Sequence, residues 1–209
     1  MSNPAARWDE RYAAGSPWPA GPNATVRDLV APLTPGRARD VACGDGRHAI
    51  WLAGLGWQVD AVDFSAVAIA RGRARADQLA ADGVLPGQVR WSVADVSQDV
   101  PEPRSADLVL LAYVHLLPAQ AVATLERSAS AVAPGGLLLL VGHDRSNLHH
   151  GTGGPQRPEV LTDLDVVTHT LHESGLDVVR AEVLPREVEG AERAALDAVV
   201  VAQRPAATR

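Results

Sequence analysis

A chain of 209 residues, 46% apolar and 21% charged, has enough material for one globular domain with a real core. Its net charge of −6 runs against the basic excess of a nucleic-acid-binding surface. It contains no lysine and one cysteine, Cys43. That excludes Schiff-base chemistry, a P-loop lysine, an intrachain disulfide, a zinc ribbon and an iron–sulfur cluster held by this chain. No apolar run approaches a membrane span, and Met1-Ser2-Asn3-Pro4 does not open a signal peptide, so a reduced, cytoplasmic setting is expected.

Residues 4–14 combine Trp8 and Tyr12 with alternating charges and read as a short amphipathic helix. Residues 15–23 hold three prolines and two glycines and read as loop, with Asn23 capping a second helix through residue 33. Trp8 and Trp18 have a packing role or form an aromatic cover over a ligand; their density beside a Gly/Pro loop favours the cover.

The next stretch organises the chain. Asp40-Val41-Ala42-Cys43-Gly44-Asp45-Gly46-Arg47 reads as a strand end, a glycine turn and a helix start. Gly44 and Gly46 permit positive φ and close approach of a ligand to the backbone, and a helix starting there presents unpaired N–H groups. A second strand, 57–62, leads to Asp63, which lies 19 residues beyond Gly44 and is placed to accept the ribose hydroxyls of a nucleoside.

Ser65 caps a helix to about residue 81, and 88–93 is a third strand followed by Ala94-Asp95-Val96. Residues 107–111 form a fourth strand, a nearly continuous apolar run suited to a sheet covered on both faces. Pro118 opens a helix to residue 132, Pro134-Gly135-Gly136 turns the chain, and 137–141 is a fifth strand. Residues 143–158 read as a long irregular loop, expected to act as a mobile lid. Thr162 caps a helix to about residue 174. Two strands, 176–184 and 194–203, then pair as an antiparallel hairpin around Glu189-Gly190.

The strict β–α alternation before that hairpin predicts an α/β fold: a Rossmann-like, doubly wound, seven-stranded sheet, mostly parallel with an antiparallel C-terminal hairpin. Residues 1–209 form one expected domain. Within it, 1–35 is a helical cover, 36–142 a cofactor-binding core, 143–158 an acceptor-side loop, and 159–209 a helix and the terminal hairpin.

On these residues the chain resembles the class I S-adenosylmethionine-dependent methyltransferases, whose acidic-x-Gly-x-Gly-x-Gly motif stands here as Asp40-x-Ala42-x-Gly44-x-Gly46. The segments Trp8-Asp9-Glu10-Arg11-Tyr12, Trp18-Pro19-Ala20-Gly21-Pro22-Asn23 and Gly46-Arg47-His48-Ala49 are similar to the small tellurite-resistance and thiopurine methyltransferase-like group. The resemblance implies S-adenosylmethionine as cofactor and S-adenosylhomocysteine as product. It implies that Asp63 holds the ribose, Asp95 faces the adenine amine and the Ala112 carbonyl meets the methionyl ammonium. Trp18, Asp40, Ala42, Cys43, Gly44, Gly46, Arg47, Phe64 and Val96 complete the implied cofactor site, Cys43 through its backbone.

Methyl transfer from a sulfonium is an in-line displacement that mainly requires alignment and exclusion of water, with a base only where the acceptor must lose a proton. His143, His115 and Tyr113 are the candidate catalytic residues, just past the ends of the fourth and fifth strands, with Asp144 beside them. For His115 a packing role is as natural as a catalytic one. His143, Asp144, His149 and His150 also invite a metal reading, but adjacent histidines in an irregular stretch have no fixed ligand geometry, and no metal is expected.

The expected function is transfer of a methyl group to a small-molecule acceptor by a monomer or homodimer, with no nucleic-acid or membrane partner. The rivals are an NAD(P)-dependent oxidoreductase, since Gly44-x-Gly46-x-x-Ala49 also fits a dinucleotide fingerprint, and a non-catalytic protein that binds S-adenosylmethionine or S-adenosylhomocysteine.

Overall fold

The computed structural model describes residues 4–207. Met1-Ser2-Asn3, on which the signal-peptide reading rests, lies outside the described residues. The chain divides into two compact units, Met1–Val100 and Pro101–Arg209.

The first unit contains α1 (Pro4–Ala13), α2 (Ala24–Val30), β1 (Arg37–Val41), α3 (Arg47–Gly54), β2 (Gln58–Asp63), α4 (Ala66–Ala81) and β3 (Gln88–Val93). β1 pairs with β2 and β2 with β3, both in parallel. Asn23 and Ser65 cap α2 and α4 as expected, each accepting a backbone N–H three residues on. α2 stops at Val30, short of residue 33. Val41, Leu52, Val59, Val62 and Ile69 are buried at the centre of this unit.

The second unit contains β4 (Ala106–Ala112), α5 (Pro118–Ala131), β5 (Val132–His143), α6 (Asn147–His150), α7 (Leu164–Glu173), β6 (Asp177–Arg186) and β7 (Ala195–Gln203). β4 and β5 are parallel; β7 runs antiparallel to both β5 and β6. The seven strands form one sheet in the order β3-β2-β1-β4-β5-β7-β6, flanked by helices, as the alternation and terminal hairpin predict. The edge strands β3 and β6 carry Arg90, Arg180, Glu182 and Pro185 and stay largely exposed or alternating. Charge and proline on an edge discourage pairing with another chain. β4 and β7 are almost continuously buried.

Three local readings are corrected. Pro134-Gly135-Gly136 does not precede β5 but forms an irregularity within it: Ala106 faces Val132, whereas Leu108 faces Leu137. Arg204 holds this excursion, its carbonyl accepting from Gly135 N–H and its N–H donating to the Gly136 carbonyl. The cap of α7 is Asp163, whose carboxylate accepts from Asp165 and Val166 N–H. Thr162 instead makes a bridge to Asp144 through its backbone. The 143–158 stretch is also more ordered than its composition suggests, since it contains α6 and leads into a 3-10 turn at Pro158–Val160.

Asn147 fastens that stretch. It is 3% exposed, its Oδ1 accepts Leu196 N–H at 2.7 Å, and its Nδ2 donates to the Gly153 carbonyl at 3.0 Å. Asn147→Ala leaves the Leu196 N–H without its acceptor and is expected to cost about 1–3 kcal/mol of unfolding free energy. Limited proteolysis should then cut within 147–158 faster than in the wild type. Unchanged denaturation and cleavage would show that Asn147 does not hold the loop.

Candidate functional site

In the first unit the turn after β1 places three alternate residues in left-handed conformation: Ala42 (φ 56°), Gly44 (φ 58°) and Gly46 (φ 77°). For Ala42 this costs about 1–2 kcal/mol relative to a right-handed backbone. Gly44 and Gly46 are required sterically as well. A Cβ on Gly44 would lie 2.2 Å from the Tyr12 hydroxyl, and one on Gly46 2.2 Å from the Trp91 ring.

Asp63 ends β2 and is 5% exposed. Its Oδ2 accepts Gly44 N–H at 2.9 Å and its Oδ1 accepts Ser65 N–H at 2.8 Å. Burial raises its pKa, opposed by the N–H groups it accepts from. Each carboxylate oxygen has a further lone pair, so the side chain retains capacity for two donated hydroxyls. Asp40, at 1% exposure on β1, is pushed up to about 7 by burial, against the Ala49 N–H and the charge of Arg47. Its Oδ2 is buried without a hydrogen-bond partner. A buried acceptor left open beside a left-handed turn fits a polar ligand at this place.

An aromatic group covers the turn. Tyr12 is buried; its hydroxyl accepts from the Trp18 indole N–H at 3.3 Å, and its ring centroid lies 5.8 Å from that of Trp8. Trp8 and Trp18 lie 6.5 Å apart, with the Arg11 guanidinium over both and the Arg47 guanidinium 5.9 Å from the Trp18 ring. Asp9 anchors α1 to the start of α4, accepting from Ser65 Oγ at 2.6 Å and Val67 N–H at 3.2 Å. The Trp8–Tyr12 segment by itself does not reveal that Asp9 anchors α1 or that Tyr12 packs on Gly44.

The other expected cofactor residues have different settings. Cys43 is buried, and burial raises its thiol well above the ordinary range. Phe64 follows Asp63 and is half-buried. Asp95 is exposed after β3, its Oδ1 accepting from Ser97 N–H at 2.9 Å and Ser97 Oγ at 2.8 Å, while Val96 is buried.

In the second unit Ala112 ends β4, half-buried. Tyr113 follows in left-handed conformation (φ 58°), its N–H donating to the Val141 carbonyl at 2.7 Å. The three catalytic candidates are together. The His143 ring lies 5.1 Å from Tyr113 and stacks on His115 at 5.9 Å and 7°. A Cβ on Gly154 would lie 2.8 Å from the His143 ring, so the Gly153-Gly154 backbone covers that imidazole closely.

Behind them is a group that the sequence reading missed. Asp197 of β7, 1% exposed, accepts from the Tyr113 hydroxyl at 2.5 Å and from Arg186 Nε at 2.6 Å. His143 Nδ1 stands 3.4 Å from Asp197 Oδ1, an electrostatic contact rather than a full hydrogen bond. Burial pushes the Asp197 carboxyl up, but His143, Arg186 and Tyr113 outweigh it, and the carboxyl lies below its ordinary range. Burial and the Asp197 charge push the Tyr113 hydroxyl up, so it stays protonated. The signal in the sequence was a lone carboxylate in the apolar run Leu196-Asp197-Ala198-Val199.

Asp144 serves the backbone, its Oδ1 accepting from Ser146 N–H at 2.8 Å and from Ser146 Oγ. His149 and His150 are exposed neighbours on α6. Among the described residues no cluster of histidine, cysteine and carboxylates is arranged to hold a metal ion, and no helix is long and apolar enough to cross a membrane.

With this geometry in place, the likeness to known proteins is direct. Residues 39–136 match the family described as a methyltransferase domain. The fold is that of the N-methyltransferase NodS from Bradyrhizobium japonicum WM9 in complex with S-adenosylhomocysteine: 18% identity, TM-score 0.73, 97% of this chain and 100% of that one. Magnesium protoporphyrin IX methyltransferase from Synechocystis PCC 6803, also with S-adenosylhomocysteine bound, aligns at 20% identity and TM-score 0.68 over 97% of this chain and 95% of that one. TehB from Haemophilus influenzae aligns at 15% identity and TM-score 0.68 over 96% and 66%. No curated protein matches the sequence. Residues 39–136 thus match a methyltransferase-domain family, and the chain as a whole has the Rossmann-like fold of these solved structures.

His48, on α3, makes a pH test possible. Its Nε2 accepts the Asn23 N–H at 3.2 Å, and burial, aided by the charge of Arg47, pushes its pKa from 6.5 to about 3. Between those values the unfolded chain takes up a proton that the folded chain refuses. Its contribution is therefore present above pH 6.5 and lost as pH falls toward 3. Asp40 has the opposite sign: with its pKa raised from 3.8 to about 7, its contribution is present in acid and lost as pH rises through that window. His48→Gln keeps an acceptor but cannot titrate. The stability difference between wild type and variant should grow by about 1.4 kcal/mol per pH unit from pH 3 to 6.5, read by urea denaturation. Parallel curves would mean that His48 is not a buried neutral imidazole.

Proposed function

We propose that this chain is an S-adenosylmethionine-dependent methyltransferase acting on a small-molecule acceptor, in the cytoplasm. The observation that carries this reading is the left-handed turn at Ala42, Gly44 and Gly46, joined to Asp63 through the Gly44 N–H. The glycines of this turn seat Tyr12 and the Trp91 ring against it, and Asp63 has lone pairs for two ribose hydroxyls. The buried Asp40 oxygen, Asp95 after β3 and the Ala112 carbonyl are assigned to the remaining polar groups of the cofactor. Trp18, Tyr12 and Trp8 exclude water from it.

S-adenosylmethionine supplies a methyl group on a sulfonium. That methyl group would pass in line to an electron pair of the acceptor atom, with S-adenosylhomocysteine as the leaving group that keeps the carbon–sulfur bonding pair. An acceptor that carries a proton must release it, and His143 is the residue assigned to take it. Asp197, behind Nδ1, stabilises the imidazolium so formed. Tyr113 is assigned a positioning role, because its proton is committed to Asp197 and its pKa is raised. A soft thiol or chalcogen acceptor would need little of this help.

Two measurements test the reading. Calorimetric titration should show binding of S-adenosylmethionine and S-adenosylhomocysteine and none of NAD, with Asp63→Asn weakening both by more than tenfold. NAD binding alone would return the turn to a dinucleotide role, and unchanged affinity in the variant would remove Asp63 from the ribose. Secondly, once an acceptor has been identified by screening, His143→Ala should leave cofactor affinity within about threefold. It should lower turnover of a hydroxyl or amine acceptor by about 100-fold or more. Parallel loss of both would assign His143 to the cofactor; cofactor binding without turnover of any acceptor would favour a sensor.

A further inference from the structure

The second unit contains a chamber that the polar cluster does not use. Its volume is about 470 Å³, within the size range of small-molecule sites. Leu111 and Leu140 come from the sheet, Leu125 from α5, Val167 from α7, and Val114 and Leu161 from the connecting segments. Tyr113, His115 and His143 do not line it; the Thr162 N–H, at the chamber wall, donates to the His143 carbonyl at 2.8 Å.

The wall chemistry selects the occupant. Aliphatic side chains dominate, and water against them finds few partners, so an apolar solute gains by entering. No aromatic ring is among the lining residues, so a planar aromatic ligand would have no stacking surface. The charged lining groups are Arg145, Glu159 and Asp163. Arg145 is committed to an ion pair with Asp163. Glu159 is held below the ordinary carboxyl range by its own backbone N–H and by Arg157, and Asp163 is held low by Arg145 and the α7 N–H groups in spite of partial burial. Both carboxylates are thus ionised at neutral pH and act only as acceptors. A head group that donates hydrogen bonds meets two carboxylate acceptors there, of which Glu159 is held only by Arg157 and its own N–H, whereas an anion meets two like charges and a guanidinium already paired.

We propose that this chamber binds a small molecule with an aliphatic or alicyclic body and a hydrogen-bond-donating head, a hydroxyl or an ammonium. The proposal stands apart from the methyl-transfer reading, since it rests on the chamber alone.

The test is NMR titration of the full chain with hexan-1-ol, hexylamine, hexanoate and indole. Hexan-1-ol and hexylamine should shift the amides of Leu111, Ala121, Leu161 and Val167 saturably, with hexanoate and indole at least tenfold weaker. Ala121→Trp, on the α5 wall, and Val166→Phe, on the more exposed α7 rim, reduce the space. A variant that keeps the wild-type circular dichroism should lose at least tenfold in hexan-1-ol affinity while its affinity for S-adenosylmethionine matches the wild type. Glu159→Gln should weaken hexylamine more than hexan-1-ol. The proposal is overturned if none of the four probes binds saturably, if hexanoate or indole binds as well as the alcohol, or if the shifts map elsewhere. Full binding by both folded, filled variants would overturn it too. Each of these failures, with cofactor binding intact, leaves the methyltransferase reading standing.

Discussion

The first unit depends on one carboxylate. Asp63 reaches from the end of β2 to the Gly44 N–H in the turn after β1 and to the Ser65 N–H at the cap of α4. One side chain thus ties together the turn after β1 and the turn after β2. It is buried enough that burial raises its pKa, and the N–H groups it accepts from oppose that rise. Ser65 extends the same chain of contacts. Its hydroxyl accepts from Ala68 N–H to cap α4 and donates to Asp9, which seats α1. With α1 seated, Tyr12 lies over Gly44, where only a glycine leaves room for its hydroxyl. The left-handed turn, the helix caps and the aromatic cover are therefore joined by one continuous set of contacts.

The second unit uses its polar groups differently. Asp63 in the first unit accepts from backbone N–H groups, whereas Asp197 in the second accepts from side chains. Its two oxygens receive Tyr113 and Arg186 and face His143, so one buried charge orients a phenol, a guanidinium and an imidazole. A charge buried to this degree is tolerable only with such partners. Tyr113 also has left-handed backbone geometry directly after a buried strand, and its hydroxyl donates to this carboxylate. The aliphatic chamber beside α5 and α7 has little of this polarity, so the unit separates a cluster of polar side chains from an apolar space.

The glycine turn was legible because it is a local requirement. Residues that must adopt positive φ are chosen for it, and Gly44, Gly46 and the small Ala42 lie within five positions of one another. Asp63 was legible because strand length fixes where the second strand ends. The helix caps at Asn23 and Ser65 could be read for the same reason. Asp163 displaced Thr162 as a cap because two adjacent residues were both chemically suitable, and the Asp144–Thr162 bridge decided between them. The irregularity at Pro134–Gly136 was read as a turn because its residues are turn residues; the hydrogen bonds of Arg204, from the far end of the chain, keep it inside a strand.

By itself the sequence determined the alternation of strands and helices, the antiparallel ending, the left-handed turn and the acid that serves it, because each follows from periodicity or backbone freedom over a few residues. Tertiary structure alone decided that Tyr113 meets Asp197, 84 positions away, that Asn147 fastens its loop to β7, 49 positions away, and that aliphatic residues of two strands, two helices and their connections enclose a chamber. Those contacts depend on strand order and register. His143 faces Asp197 because β5 and β7 pair antiparallel in one register, and a shift of one residue would turn the carboxylate to the other face of the sheet.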